Sequence, residues 1–473
     1  MNLTTTHKNA DLDALSSVAA ASKLYPSALS ACMSRVLPAK LLDVIRKIGR
    51  EADAMGMNAF LVGGFVRDFF LGAGNFDLDV VVEGDAIKFG KVIADGMKGS
   101  LVVHHKFGTA TVVKDKAVWF DESLNDRGKF KIDIATARKE VYERPAALPT
   151  VAFSSLRDDL HRRDFTINAM AININRHNFG LFIDFFGGMR DLERRIIRVL
   201  HDKSFIDDPT RIFRAVRFEQ RFGFRIEEHT EYLIRHAVKQ EMFRRTENQR
   251  IREELVLLFK EKDPEKAICR MKKLHELRFI HPGLKAGRAL AGRFRELREC
   301  AEWYGSAGIK KRRLDIWLMY LMILLEPLGR EETREVLDKF VFTRSEHIRI
   351  LSYKDKAAKV IRKLSSKTAI KNSALYFMLE PLSHETTLCI MARTASRTAK
   401  ARVRRFFMRL NGRSLSIKGE DLAKMGLRPG PAYKDILEKV FSASLDGKVS
   451  GKREELNLAK ELVKGLKQNE GSS

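Results

Sequence analysis

The chain has 473 residues, 44% of them hydrophobic, with 87 lysines and arginines against 61 aspartates and glutamates, giving a formal net charge of +26. That length and apolar content support more than one folded unit with a real core, which excludes a disordered chain, and the charge excess favours a polyanionic partner through phosphate neutralisation and counterion release. Four cysteines (Cys32, Cys269, Cys300 and Cys389) lie far apart with no metal-ligand spacing, which excludes a disulfide scaffold and suits a reducing cytoplasm. The longest apolar run, residues 316–325, is too short to span a membrane, and the N-terminus lacks the layout of a signal peptide. A soluble, cytoplasmic, membrane-free protein is expected.

In chain order, residues 6–28 carry His7, Asp11 and Asp13 at the spacing of a metal-binding strand-to-helix turn. They resemble the first motif of the DHH phosphoesterases, but the later motifs of that family are missing. The resemblance therefore implies a remnant of a lost domain, or a flexible arm, over residues 1–38. Residues 41–55 read as a helix. Residues 61–82, LVGGFVRDFFLGAGNFDLDVVV, are the densest stretch. The apolar run 59–62 predicts a buried strand ending at Gly63-Gly64, then a short helix with Arg67 and Asp68 in its first turn. After further turn residues, Asp77-Leu78-Asp79 leads into a second strand. Side chains alternate along a strand, so Asp77 and Asp79 project together, and paired like charges need a neutralising partner. Magnesium, a hard cation that prefers carboxylate and phosphate oxygens, fits that need. The glycine pair lets backbone N–H groups approach a phosphate. Taken singly, a Gly-Gly turn is an ordinary turn and a DxD an ordinary solvated rim; within one strand–turn–helix–strand unit they point to a nucleotide site.

A helix over 85–97, strands over 100–104 and 109–113, and a strand over 129–135 follow from periodicity and β-branched enrichment. Asp133 stands on the last strand between two isoleucines. Residues 139–149, KEVYERPAALP, read as a mobile loop. Within 161–171, HRRDFTINAMA, Phe165, Ile167 and Met170 read as core. Residues 182–188 give a strand and a glycine turn. In 207–223, DDPTRIFRAVRFEQRFG, Asp207 or Asp208 caps a helix with an apolar stripe at Ile212, Ala215, Val216 and Phe218. Arg211, Arg214, Arg217 and Arg221 recur on its other side, which a basic solvent face also explains. From residue 247 onward the pattern is helical, with basic runs at 310–313 and 400–405 and a disordered tail at 468–473.

These motifs resemble the polymerase-beta-like nucleotidyltransferase superfamily, in its class II tRNA nucleotidyltransferase and bacterial poly(A) polymerase branch. The resemblance spans most of residues 41–445 and is densest before residue 252. It implies an α+β head with a mixed five-stranded sheet over 39–190, then an all-α neck (191–275), body (276–400) and tRNA-binding tail (401–473). It places Gly63, Gly64, Arg67 and Asp68 on the triphosphate, and Asp77 and Asp79 on magnesium, with Asp133 as the third catalytic carboxylate. Arg163 goes to the incoming nucleotide, Asp164 to its ribose 2′-hydroxyl and Asn168 to support of the pocket. Asp207-Asp208-Pro209-Thr210-Arg211 matches the base-selecting motif, with Asp208 and Arg211 pairing with the base edge and Arg214 beside them; Asp207 stands where Glu is common.

The expected activity is template-independent nucleotide addition to a tRNA 3′ end. The N-terminal remnant and the wording FDLDVVVEGDAI and SSLRDDLHRRDF are most similar to the A-adding lineage. That implies ATP as substrate, the acceptor arm and 3′ end of tRNA as partner, and a separate CC-adding enzyme. Full CCA addition from CTP and ATP is the alternative, then poly(A) synthesis. A non-catalytic RNA-binding protein and a phosphoesterase acting through His7, Asp11 and Asp13 are the readings from other classes.

Overall fold

The computed structural model describes residues 26–74, 77–115, 129–147, 149–274, 277–308 and 312–470. His7, Asp11, Asp13, Lys310 and Lys311 lie outside the described residues. The chain divides into two compact units, residues 1–247 and 248–473.

The first unit begins with helix α1 (Pro26–Val36), whose Leu29 and Met33 are fully buried, so part of the segment read as an arm is packed structure. Helix α2 (Ala39–Ala54) follows, then strand β1 (Asn58–Val62), helix α3 (Gly64–Phe70), strand β2 (Leu78–Glu83) and helix α4 (Ala86–Met97). Asp85 caps α4, its carboxylate accepting from the N–H groups of Ile87 and Lys88. Strands β3 (Ser100–His104), β4 (Thr109–Asp115) and β5 (Lys129–Thr136) complete the edge of the sheet. Next come β6 (Arg138–Val141), β7 (Thr150–Phe153), helix α5 (Leu156–His161), β8 (Ala171–Asn173) and β9 (Phe182–Ile183). The unit closes with α6 (Gly188–Glu193), β10 (Ile196–Ile197), α7 (Ser204–Asp207), α8 (Arg211–Phe222), β11 (Arg225–Ile226) and α9 (Glu228–Lys239).

The expected α+β head is present. Its mixed sheet has seven strands in the order β3-β4-β5-β2-β1-β8-β9, where five are expected from the resemblance. The short strands β8 and β9 widen it beyond β1; β9 is the strand expected within residues 182–188, while β8, at three residues, is too brief for a period-two signal. The central pair β2–β5 is parallel and sets Asp79 opposite Asp133, while antiparallel β4–β5 sets Thr111 opposite Asp133. Register is fixed by burial: Leu78, Val80, Ile132 and Ile134 are at most 1% exposed, so a one-residue slip would expose all four.

The stretch 139–149 is a correction. Its first three residues belong to β6, which pairs antiparallel with β7 from Arg138↔Phe153 to Val141↔Thr150, and only residues 142–149 link the two strands. Neither arm, Arg-Lys-Glu-Val or Thr-Val-Ala-Phe, shows a period-two alternation, so the hairpin rests on its cross-strand pairing and gives no strand signal in the sequence. Near its tip, buried Ala146 takes φ +60° and donates its N–H to the Ile206 carbonyl at 3.0 Å.

The second unit is helical throughout its described residues. The helix Ile316–Leu324, buried from Leu318 onward, is the centre of its core, with Tyr320 edge-on to Phe294 at 4.8 Å. A smaller core of Ile417, Leu422, Ile436, Val440, Ala459 and Val463 holds the C-terminal helices together. Much of the basic run 400–405 is structural. Arg402 is 9% exposed and donates to the carbonyls of Leu364, Ser366 and Thr368, satisfying the end of the helix Arg344–Leu364. Lys400 pairs with Glu296, and Arg405 donates to the Ile370 carbonyl. The final helix, Gly451–Glu470, runs through Gly465 into the tail expected to be disordered, its residues 468–470 being helical.

Gly63 ends β1 at φ +68° and ψ −131°, a conformation closed to L side chains. A Cβ there would also lie 2.6 Å from Arg163 Nη1. Gly63→Ala is expected to lower stability by about 1–3 kcal/mol and to displace Arg163, read as a lower midpoint in urea unfolding.

Candidate active site

A cavity of about 470 Å³ opens in the first unit where the Gly63 turn, the start of β2, the β6 hairpin, the end of α5 and one side of α8 converge. Seven of its sixteen lining residues are arginines and four are acidic, so the hollow is built for a polyanion. Gly63, Gly64, Arg67, Asp79, Arg163, Asp164, Asn168, Asp208, Arg211 and Arg214, expected from residues more than 150 positions apart, all line it.

A continuous polar chain fixes the arginines. Arg67, 5% exposed, donates from Nε to Asp68 Oδ1 at 2.8 Å and from Nη1 to Asn168 Oδ1 at 2.6 Å. Asn168 Nδ2 donates to Asp164 Oδ1 at 2.8 Å, and Arg214 holds the other carboxylate oxygen through Nε (2.8 Å) and Nη2 (2.7 Å). Asp68, at 1% exposure, is therefore the anchor of Arg67 and does not line the cavity, which corrects its expected place on the triphosphate. A carboxylate is the wrong charge for that place, and its neighbour Arg67 takes it up. Burial opposes ionisation of Asp164, but Arg214 outweighs it, helped by the Asn168 hydrogen bond, and holds the carboxyl down at about 2. Behind Arg163 lies Asp159, fully buried, accepting from Arg163 Nη2 at 3.0 Å and Arg162 Nη2 at 2.7 Å. Burial works against its charge too, but Arg163 and then Arg162 keep it below the usual carboxylate range.

The arginine side of α8 is not a solvent face. Arg211 and Arg217 are 6% and 8% exposed, while the rings of Phe218 and Phe222 lie under Arg67 at 5.2 and 4.7 Å. Regular helix is counted from Arg211, but Thr210 already has helical backbone angles (φ −64°, ψ −21°) whereas Asp208 is extended (φ −140°, ψ 93°). Asp208 Oδ1 accepts from the Thr210 N–H at 3.1 Å and the Thr210 hydroxyl at 2.6 Å, and its carbonyl accepts from the Arg211 N–H, so Asp208 is the capping residue of the expected pair and Asp207 ends α7. Arg211 donates to Ser204 Oγ and to the Arg162 carbonyl, both at 2.7 Å, engaging two of its five N–H groups.

Of the carboxylates, Asp79 lines the cavity while Asp77 and Asp133 are exposed outside its lining. Asp77 immediately precedes β2, and Asp133 accepts from the Thr111 hydroxyl at 2.6 Å. Burial pushes the Asp79 carboxyl up to about 6, Arg163 pulls it down, and Asp133 and Asp77 add to the push. At neutral pH its ionised form therefore opposes folding by about 3 kcal/mol, a cost that a bound cation would relieve. Among the described residues no three His, Cys, Asp or Glu side chains already form a closed metal cage. The donor set nevertheless fits a divalent ion: all-oxygen, anionic and mutually repelling, with Asp79 and Asp133 side by side on parallel strands.

Sequence reading missed Glu140, Tyr142 and Arg162, and it left open a solvent face for Arg217, which is buried, and Arg221, which is exposed at the cavity rim. Glu140 accepts from Arg162 at 2.8 Å and from the Tyr142 hydroxyl at 2.9 Å, and the Tyr142 phenol is held above its ordinary range by burial and by Glu140. The spacing of Asp159 three and four residues before Arg162 and Arg163 was a readable signal; the hairpin's arrival at the cavity was not.

A glycine turn ending a central strand, carboxylates on adjacent parallel strands and an arginine-lined cavity define a nucleotidyltransferase head of polymerase-beta type. Residues 59–198 match the family model described as "Poly A polymerase head domain", and residues 223–287 that described as "Probable RNA and SrmB- binding site of polymerase A". The chain is 38% identical to the A-adding tRNA nucleotidyltransferase of Geobacter sulfurreducens over 91% of its length, but spans only about half (48%) of that relative. It is 31% identical to the A-adding tRNA nucleotidyltransferase of Halalkalibacterium halodurans, covering 91% of this chain and 94% of that one. Among solved structures, the Thermotoga maritima CCA-adding enzyme complexed with tRNA-CCA superposes with a TM-score of 0.70 at 35% identity, over 93% of this chain and 98% of that one. The chain belongs to the tRNA nucleotidyltransferase family, enzymes that generally work with divalent metal ions.

Because the folded value of Asp164, about 2, lies below the ordinary 3.8, its charge stabilises the fold above pH 4, and the contribution is lost as pH falls through 2. Asp164→Asn is expected to cost about 2 kcal/mol at neutral pH, a deficit that narrows between pH 4 and 2 when urea unfolding of the two proteins is compared.

Proposed function

We propose that this chain adds AMP from ATP to the CC end of tRNA without a template, in the cytoplasm, completing ends supplied by a separate CC-adding enzyme. The observation that carries the reading is the convergence of Gly63, Asp79 and the Arg67–Asn168–Asp164–Arg214 chain on one cavity. The bare backbone at Gly63 and Gly64 gives a triphosphate close access, and Arg67 and Arg163, each braced by a buried carboxylate, orient its oxygens. Asp77, Asp79 and Asp133 would hold the divalent ion, which we take to be magnesium. When bound it supplies activation of the RNA 3′-hydroxyl and charge stabilisation of the departing pyrophosphate.

Asp164 meets the ribose 2′-hydroxyl through lone pairs left beside its bonds to Asn168 and Arg214. Asp208 accepts from the exocyclic amino group of the base, and Arg211 donates to its ring nitrogen or carbonyl. Adenine and cytosine both offer an amino donor, so this pair rejects guanine and uracil without separating A from C. The preference for A rests on the A-adding relatives; full CCA addition, from CTP and ATP, is the second reading. Residues 191–275, 276–400 and 401–473 serve as neck, body and tail for the RNA.

Single-nucleotide extension of tRNA transcripts ending at the discriminator, at C and at CC separates these readings. One A added only to the CC-ended tRNA is expected. Growth of the discriminator-ended tRNA to CCA would make the complete enzyme the better reading, and long A tracts would make it a poly(A) polymerase. Asp79→Ala is expected to lower extension at least a thousandfold while tRNA affinity in a gel-shift titration changes less than about threefold. RNA binding with no extension by either protein would sink the catalytic reading.

A further inference from the structure

Away from the nucleotide cavity, three aromatic rings line one exposed face of helix α9. His229, Tyr232 and His236 fall at steps of three and four residues, which places them one above another. The ring planes lie within 19° and 21° of parallel, with centroids 6.1 and 6.2 Å apart. Tyr232 is 61% exposed and the His229 side chain 55% exposed, so the row gains little by burial; His229 Nε2 is bonded to Asp202 at 2.9 Å, which fixes that ring's orientation and leaves much of the row's ring surface to solvent. Mutual packing of i, i+3 and i, i+4 rings would steady the helix by a few tenths of a kcal/mol, and it does not account for what surrounds them.

Beside Tyr232 opens a hollow of about 690 Å³, walled by the short β10–β11 pair and the start of α9. Four arginines and three glutamates line it. The glutamates are partly spoken for: Glu227 accepts from the Thr230 N–H and hydroxyl and pairs with Arg198, and Glu231 pairs with Arg235. Arg194 and Arg225 are exposed and have no carboxylate partner among the described residues. A row of accessible rings with uncommitted guanidinium groups at its side is the composition that takes a nucleobase by stacking and its phosphate by charge.

We propose that the His229–Tyr232–His236 row is a stacking surface for an unpaired nucleotide of the bound RNA, distinct from the 3′-terminal residue that enters the cavity, with Arg194 and Arg225 receiving its phosphate. This rests on the reading that RNA is the substrate. Stacking is sequence-tolerant because every base has a π-face, so the surface holds RNA without choosing it.

The test is fluorescence anisotropy of the full-length protein with a labelled single-stranded oligouridylate, across a salt series, alongside extension kinetics on CC-ended tRNA. Tyr232→Ala is expected to weaken oligonucleotide binding about tenfold, in line with loss of one stacked base, and Tyr232→Phe to restore it to within about twofold of the original protein. Arg225→Gln should lower the slope of log affinity against log salt by about 0.7, the value for one single-strand phosphate. In extension, the loss from Tyr232→Ala should fall on KM for RNA rather than kcat. Equal weakening by Tyr232→Phe and Tyr232→Ala, or oligonucleotide affinity and salt slope unchanged by Tyr232→Ala and Arg225→Gln, would overturn the proposal. Failure of the original protein to extend any tRNA sinks the catalytic reading but leaves the oligonucleotide arm to decide this one.

Discussion

The buried carboxylate of Asp164 is the point on which this active-site unit turns. It accepts from Asn168, which in turn accepts from Arg67 beside the Gly63 turn, and it grips Arg214 of α8 with its other oxygen. One charge thereby ties the glycine turn at the end of the central strand to helix α8, which carries Arg211 and Arg214. Leaving either side unpaired would strand a buried charge, a cost of several kcal/mol. The cavity's shape and the fold's integrity therefore depend on the same few hydrogen bonds.

The carboxylates obey a different logic. Asp164 and Asp159 are neutralised from within the protein by arginines, whereas Asp79 lies close to Asp77 and Asp133 and is pushed toward its protonated form. Asp164 and Asp159 position arginines, whereas Asp79 carries a charge that burial leaves poorly compensated. The contrast separates the two kinds of acidic residue in the cavity without reference to any relative: burial, with Asp133 and Asp77 adding to it, raises Asp79, and a carboxyl raised in this way in a cleft marks a candidate site for chemistry.

Much of this was legible in the sequence, because the strongest signals are local. The Gly63-Gly64 turn, the Asp77/Asp79 alternation and the apolar stripe of α8 lie within short windows where periodicity and turn chemistry speak directly. What escaped depends on contacts between distant segments. Polar residues at 139–149 hid a hairpin whose partner strand begins at Thr150 and whose Glu140 and Tyr142 reach the cavity. The α8 arginines have the period of a solvent face, and only the packing of Phe218 and Phe222 beneath Arg67 shows that this face looks inward. Asp68 was misplaced for a related reason: beside an arginine in a phosphate motif it reads as a ligand, but at 1% exposure it is a counter-ion.

The inward-turned arginines alter what the charge excess means. Arg67, Arg211, Arg217 and Arg402 are each less than a tenth exposed, and Arg67, Arg211 and Arg402 are committed to carboxylates or carbonyls within their own unit. They contribute to the formal +26 yet are not placed to neutralise the phosphates of a long polyanion and so release its counterions. The electrostatic reach of the molecule is set by the remaining surface cations, so its attraction for any long polyanion depends on ionic strength less steeply than its isoelectric point implies, and a bulk charge count overstates how firmly one is held.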